Sequence, residues 1–239
     1  MPQERALWSF AMYGRVRRAV VLGYEDLSQL PLTTIYAALY CAAEPQHPEH
    51  LLSGEWQGAA LADLMAEAEL QPGANSAVIY GADGSQLALP ATALEGAVLA
   101  TRLNGEALTA EQGFPARLIV PGLTACDMPR WVERIEWSAE TATPPAPAQN
   151  IAVLTSPPPG AFISQQVHLQ GLALAADQAV SAVELSIDDG DWFAIPLHIE
   201  ANHMARWSLD WTPPGAGQYG LKVRAAASVN THQVTIIVN

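Results

Sequence analysis

The run "LYCAAEPQHPEH" (39–50) places a cysteine at the end of an apolar stretch and two histidines in the polar loop that follows. Cys41 can be a metal-binding thiolate, a nucleophile, or a small buried hydrophobe at a strand end, which is the commonest state of a free cysteine. A nucleophile needs a base, and beyond His47 and His50 no His/Asn pattern supports one. A zinc site needs three or four ligands, and this short run is the one place that offers them. Pro48 breaks a helix between the two histidines, so they would not share a helical face. A solvated loop, at most bordering a pocket beside Cys41, is the simpler reading. The second thiol, Cys126, sits in the loop "PGLTACDMP", and two cysteines do not make a disulfide framework.

The remaining chemistry concerns anions. The chain carries 24 Asp and Glu against 11 Lys and Arg, a formal charge of -13, and Lys222 is its one lysine. Such a chain repels nucleic acid and anionic membranes, because phosphate neutralisation needs clustered bases. An anionic ligand requires a local exception to that field, and Arg102, Arg117 and Arg130 are candidates for it. The longest apolar stretches, "RAVVLGY" and "IYAALYCAA", fall far short of the roughly 20 residues that span a bilayer. The first residues, "MPQERALWSFAMYGRVRR", put an acid and a base ahead of a short apolar patch. A secretory signal has the opposite order, so a cytoplasmic location is the default, or a periplasmic one if the chain is processed.

These side chains must be positioned by two regions of different texture. The Pro/Ala run at 141–150, within "ETATPPAPAQN", is an extended linker. Before it, residues 1–140 mix strands and helices without a βαβ rhythm, which predicts an α+β domain. "YEDLSQLP" predicts a short helix, "TTIYAALYC" a strand, and "WQGAALADLM" a helix opened by Trp56 and Gly58. "SAVIYGADGSQLALP" predicts a hairpin around Asp83-Gly84, and Asn104-Gly105 a tight turn. "EGAVLATRLNGEAL" and "MPRWVERIEW" fit either helix or strand. After the linker, residues 151–239 read as about seven short strands with regular turns, the pattern of an immunoglobulin-like β-sandwich. Trp192, Trp207 and Trp211 are expected to fill its core.

In this order the segments resemble the sulfite oxidase family of molybdenum-cofactor oxidoreductases. The likeness runs through "YGRVRRAVVLGYEDL", the strand ending in Cys41, "WQGAALADLM", "GADGSQLALP", "LATRLNGEAL", "GFPARLIVPG" and "RWVERIEW". The second region resembles that family's immunoglobulin-like dimerisation domain through "VSAVELSIDDGDWFAIPL", "ARWSLDW" and "YGLKVRA". The resemblance implies a molybdopterin cofactor, with Cys41 as the metal-binding thiolate. It implies that Gly113 and Arg117 fit the cofactor-site pattern, and that Arg130 stands where relatives carry a pterin-contacting lysine. The implied activity is oxygen-atom transfer on a small oxo acceptor or oxyanion, with electrons passed to a cytochrome or other redox protein. A homodimer through the sandwich is implied as well. Two departures stand out. Cys41 is followed by Ala42, Ala43 and Glu44 instead of a Gly-Asn-Arg-Arg-like run, and a carboxylate there repels a dianion such as sulfite. The connecting segments are also short around the pterin site. A cofactor-free relative acting as a binding or assembly subunit of a redox complex is the alternative these departures keep open.

Overall fold

The computed structural model describes residues 7–40, 52–163, 166–174, 180–199, 205–226, 228 and 230–239. Cys41, His47 and His50 lie outside the described residues. The chain divides into two compact units, Met1–Ala37 with Gly54–Ala146, and Ala38–Ser53 with Pro147–Asn239.

The elements of the first unit run β1 (Ser9–Gly14), β2 (Val20–Gly23), α1 (Tyr24–Gln29), β3 (Thr33–Leu39), β4 (Leu52–Ala60), α2 (Leu61–Ala68), β5 (Ser76–Gly81), β6 (Gln86–Pro90), α3 (Ala91–Leu94), β7 (Val98–Leu103), β8 (Glu106–Ala107), β9 (Arg117–Ile119) and β10 (Val132–Ser138). One sheet has the order β2-β1-β10-β5-β6. The other has the order β3-β4-β7-β8, with β9 also paired to β7. Only β1 and β10 pair in parallel within the first of these sheets. Its inner face follows from strict alternation. Phe10 and Met12 of β1, Ile135 and Trp137 of β10, Ile79 of β5 and Leu89 of β6 occupy every second position and are buried. Each such side chain contributes roughly 1.5–3 kcal/mol by leaving water.

The helices are short. The carboxylate of Asp26 accepts the backbone N–H of Gly23 at 2.9 Å and so starts α1. In α2, Leu61, Leu64 and Ala68 are buried, three and four residues apart, and hold one face against the core. Among the described residues no helix is long and apolar enough to cross a membrane. The fold is therefore mostly β-sheet, and the α+β expectation fits it loosely.

One local expectation changes and two open ones are settled. "WQGAALADLM" is not one helix: Trp56 to Ala60 belong to β4, and the helix starts at Leu61. The reason is tertiary. A side chain at Gly58 would meet the Leu99 carbonyl oxygen at 2.0 Å and the Ala100 Cα at 2.6 Å, where the pairing with β7 shifts register. Gly58 lets two backbones approach at a bulge, which a helix start would not require. "EGAVLATRLNGEAL" and "MPRWVERIEW" resolve to strands β7 and β10. The turn after β7 has positive φ at Asn104 (52°) and Gly105 (84°).

The second unit carries β11 (Ile151–Ser156), β12 (Phe162–Ile163), β13 (Val167–Leu174), β14 (Val183–Ile187), β15 (Phe193–Ile195), β16 (Leu197–Ile199), β17 (Ala205–Trp211), β18 (Gly217–Ala225) and β19 (His232–Val238). They form a four-stranded sheet, β11-β13-β17-β16, and a five-stranded sheet, β12-β19-β18-β14-β15. Leu169, Trp207, Leu185, Val223 and Ile236 pack between them. Of the three tryptophans expected in this core, Trp207 alone is buried there. Trp211 is half-buried and meets Tyr219 edge-on. Trp192 is half-buried under the Arg224 guanidinium, 4.1 Å from its ring centre. One hydrogen bond ties the sheets across the core: the Leu154 N–H of β11 donates to Nδ1 of His232 on β19 at 2.9 Å. That geometry requires a neutral imidazole, and burial holds the His232 pKa below its ordinary 6.5.

Two outcomes follow from this packing. Gly58→Ala should destabilise the protein by about 1–3 kcal/mol in denaturant unfolding, because the added methyl meets backbone instead of a movable side chain. A variant as stable as the wild type would show that β4 and β7 are not in this register. His232 makes the sandwich acid-sensitive. Its folded-state pKa is lowered, so the unfolded chain takes up a proton first, and stability is lost as the pH falls below 6.5. His232→Asn keeps an acceptor near Nδ1 and cannot titrate. Thermal melts between about pH 7 and pH 5 should be flatter for the variant than for the wild type.

Candidate functional site

The short strand β9 begins with an arginine and is otherwise apolar. Arg117 pairs with Ala100 of β7, and Ala116, Leu118 and Ile119 around it are fully buried. The Arg117 side chain is carried inward with them and is 4% exposed. Its Nη1 donates to the Gln112 carbonyl at 3.2 Å, and its Nη2 to the Ala125 carbonyl at a long 3.5 Å. Its Nε is buried with no acceptor among the described residues. The guanidinium lies 5.7 Å from the ring centre of Trp56, a buried indole on β4 whose N–H donates to the Ala37 carbonyl. Burial, then the nearby charge of Arg130, push the Arg117 pKa down to about 10, while Cys126 acts in the opposite direction. Arg117 still carries its proton at neutral pH.

The loop that receives this arginine is built locally. The Thr109 N–H donates to the Gln112 side-chain oxygen at 2.9 Å, and the Thr109 carbonyl accepts the N–H groups of Gly113 and Phe114. Gly113 has φ +110°, and a Cβ there would stand 3.1 Å from the Arg117 Cβ. Glycine is therefore required both by the backbone and by the close approach of the arginine stem. Three successive carbonyls of this loop accept from side chains. Ala110 receives the Trp131 indole N–H at 2.9 Å, Glu111 receives Arg130 Nη1 at 3.2 Å, and Gln112 receives Arg117. Arg130 is exposed and lies 4.7 Å from the ring centre of Trp131. Gly113, Arg117 and Arg130, singled out from the sequence, thus surround one loop.

Cys126 follows the Ala125 carbonyl that Arg117 contacts, in a turn closed by the Thr124 hydroxyl on Asp127 at 2.5 Å. Its thiol is exposed and not in a disulfide. Arg102 stands apart from this group. It is exposed on β7 and donates to the Gly105 carbonyl at 3.5 Å. Cys41 lies outside the described residues, but the position before it is firmly held. Tyr40 is buried, and its hydroxyl both accepts the Gln149 N–H at 2.8 Å and donates to the Gln149 carbonyl at 2.9 Å. Among the described residues no group of three or more His, Cys, Asp or Glu could hold a metal ion. Trp56 and Trp131, which shape the arginine site, escaped sequence reasoning. Trp56 is distant from Arg117 in the chain, and the Trp131 backbone has an unusual φ of +52° that no local motif announces.

Comparison with known proteins shows the family and the fold. The family described as the oxidoreductase molybdopterin binding domain matches residues 1–145, and the bacterial Ig domain family matches residues 151–236. An uncharacterized oxidoreductase of Bacillus subtilis, YuiH, is 26% identical over 140 residues, covering 58% of this chain and 69% of its own length. The mitochondrial sulfite oxidase of Drosophila melanogaster is 36% identical over 95 residues, 35% of this chain but only 16% of that protein. Among solved structures, the sulfane dehydrogenase SoxCD from Paracoccus pantotrophus superposes with a TM-score of 0.82 at 23% identity, over 97% of this chain and 70% of that one. The fold is shared with that enzyme. With the first family covering well over half of its residues, the chain belongs to the sulfite-oxidase-like family of molybdopterin-binding oxidoreductases.

Proposed function

We propose that the chain carries a molybdenum cofactor and transfers an oxygen atom to or from a small oxo acceptor or oxyanion, with the electrons passed to a cytochrome-like partner. The observation that supports this reading most is the buried guanidinium of Arg117 with an Nε that has no acceptor. A buried cationic donor left incomplete is costly, and a ligand that completes it is one explanation for its being there. The anionic tail of a pterin cofactor is a ligand of the right sign, so the residues present fit the group. When bound, the cofactor supplies the two-electron, oxygen-transfer chemistry, and the chain supplies binding, orientation and field. Arg117 and Arg130 would hold the anionic end, and Gly113 would bring the loop close enough for both. Cys41 would give the metal its thiolate, a soft ligand suited to this role. Tyr40, pinned to Gln149, holds the chain one residue before Cys41. Glu44 disfavours a dianion close to Cys41, which turns the substrate towards an uncharged or singly charged oxo acceptor. The formal charge of -13 suits a basic redox partner. A homodimer through the sandwich is the assembly proposed with it.

A second reading has its own support. Two of the three guanidinium nitrogens of Arg117 already bind loop carbonyls. As a structural strut the arginine would need no cofactor, and the chain would be a binding or assembly subunit. The two readings separate in one preparation. Protein purified from a host that makes the cofactor should contain molybdenum stoichiometric with the chain, and Cys41→Ser should lose both the metal and the turnover. Metal-free wild-type protein from such a host would sink the enzyme reading.

Arg117→Met discriminates further. If the charge is kept for a ligand, its removal relieves a desolvation cost. The cofactor-free variant should then be as stable as the wild type, or more stable by about 1–4 kcal/mol. It should also retain the cofactor much less well on gel filtration. If Arg117 is a strut, the same variant should melt lower, with no cofactor to lose.

A further inference from the structure

We infer that the outer face of the sheet β2-β1-β10-β5-β6 docks a second copy of this chain, related by a two-fold axis that crosses β10 between Arg134 and Glu136. The register lays that face out in rungs, on the side opposite the buried positions of the same strands. One rung reads Val21, Ala11, Arg134, Tyr80 and Gln86 across the five strands. The next reads Tyr13, Glu136, Val78 and Ala88 from β1 to β6. All of these side chains are exposed or half-buried, and Val21 is 67% exposed.

A sheet face left to water normally carries polar side chains. Here aliphatic Val21, Ala11, Val78 and Ala88 alternate with two tyrosines and an arginine, and tyrosine and arginine are the side chains that interface centres favour. The two rungs hold one cation and one anion, so they are neutral in a chain of formal charge -13. Copies of such a chain repel one another over most of their surface, and a neutral face is where they can meet. Its polar groups are already held in place. The Tyr80 hydroxyl donates to Glu136 Oε2 at 3.1 Å, and the Tyr13 hydroxyl to the same oxygen at 3.5 Å. The Arg134 guanidinium lies 4.2 Å from the centre of the Tyr80 ring. Little side-chain freedom is left to lose on docking.

The pattern is complementary to itself. A two-fold axis lying in the face and across the strands turns one rung onto the other, so each contact is made twice. Arg134 then stands over the second copy's Glu136, and Glu136 over its Arg134. The same operation sets Tyr13 against Ala11 and Tyr80 against Val78, large against small. An axis along the strands would set Arg134 on Arg134, so charge selects the first. Five strands about 4.8 Å apart, with β1 and β10 six and seven residues long, make a face of about 24 by 20 Å. Two such faces bury about 1,000 Å² together, the lower end for a specific interface, which predicts a reversible dimer. The inference is independent of the cofactor reading and of pairing through the sandwich, since every residue in it belongs to the first unit.

The test is sedimentation equilibrium of the full chain over a range of concentrations at physiological ionic strength. The wild-type mass should rise reversibly with concentration. Arg134→Glu gathers four carboxylates about the axis. It should weaken the association about tenfold or more and halve the mass reached at the top of the range. Ala88→Glu, which leaves the Glu136 hydrogen bonds untouched, should weaken it as well. Arg134→Glu combined with Glu136→Arg exchanges the charges in both copies and should restore the association. Melting curves confirm that each variant folds. A wild-type mass independent of concentration, the face then meeting a different protein or only water, would overturn the inference. So would association unchanged in both single variants, and a folded double variant as weak as Arg134→Glu would overturn the axis.

Discussion

One charge drawn out of water sets the terms for the first unit. Taking a guanidinium into a protein interior costs several kcal/mol unless its donors find partners. Around Arg117 the compensation among the described residues is partial: one good hydrogen bond, one long one, an indole face, and a donor with no acceptor. The side chain cannot escape by rotation, because β9 fixes it. Leu118 and Ile119 are buried beside it, and Leu99 and Ala100 of β7 hold the register. A slip by one residue would expose Leu118 and leave the charge no better placed. The apolar packing of β7 and β9 therefore carries the cost of the arginine.

That constraint explains why the loop at 109–113 joins the two sheets of this unit. Arg117 reaches it from the sheet of β7. Arg130 and Trp131 reach it from the lead-in to β10, a central strand of the other sheet. Each donates to a different carbonyl of the same loop, so neither sheet can shift without loosening it. Two like charges are thereby held near one another, and their mutual repulsion contributes to lowering the Arg117 pKa. A protein does not gain stability by converging cations in this way. The arrangement makes physical sense where something negative completes it.

Much of the fold was legible because it is written in local periods. Alternation gave β5 and β6 with their Asp83-Gly84 turn, the spacing of Leu61 and Leu64 gave α2, and Asn104-Gly105 gave the turn into β8. What was not legible depends on contacts distant in the chain. Gly58 looked like part of a helix start because its real constraint, the Leu99 carbonyl, lies on another strand. The three sandwich tryptophans were alike as composition; Trp207 and Trp211 share the inward phase of β17, and position along the strand puts Trp207 in the core and Trp211, at the strand's end, at its margin. At the site, Gly113 and Arg117 stood close enough in sequence to be seen together, and resemblance marked them both. Trp56 and the carbonyl of Ala125 complete the cradle from remote segments, and nothing local announces either. Cys41, proposed as the metal's thiolate, was singled out from the sequence and lies outside the described residues.

A chain of charge -13 might be thought unable to attract an anion at all. The objection weighs distant charges as heavily as near ones, and water with salt does not. At physiological ionic strength exposed charges more than about 8 Å away are largely screened. Most of the acids here are exposed, so their field fades before it reaches a buried group. A guanidinium in a poorly solvated cradle is screened far less, and at short range it dominates. Burying Arg117 would thus let an acidic protein hold an anion without becoming basic overall. The acidic exterior acts on what comes within that screening distance, where it discourages non-specific anion binding.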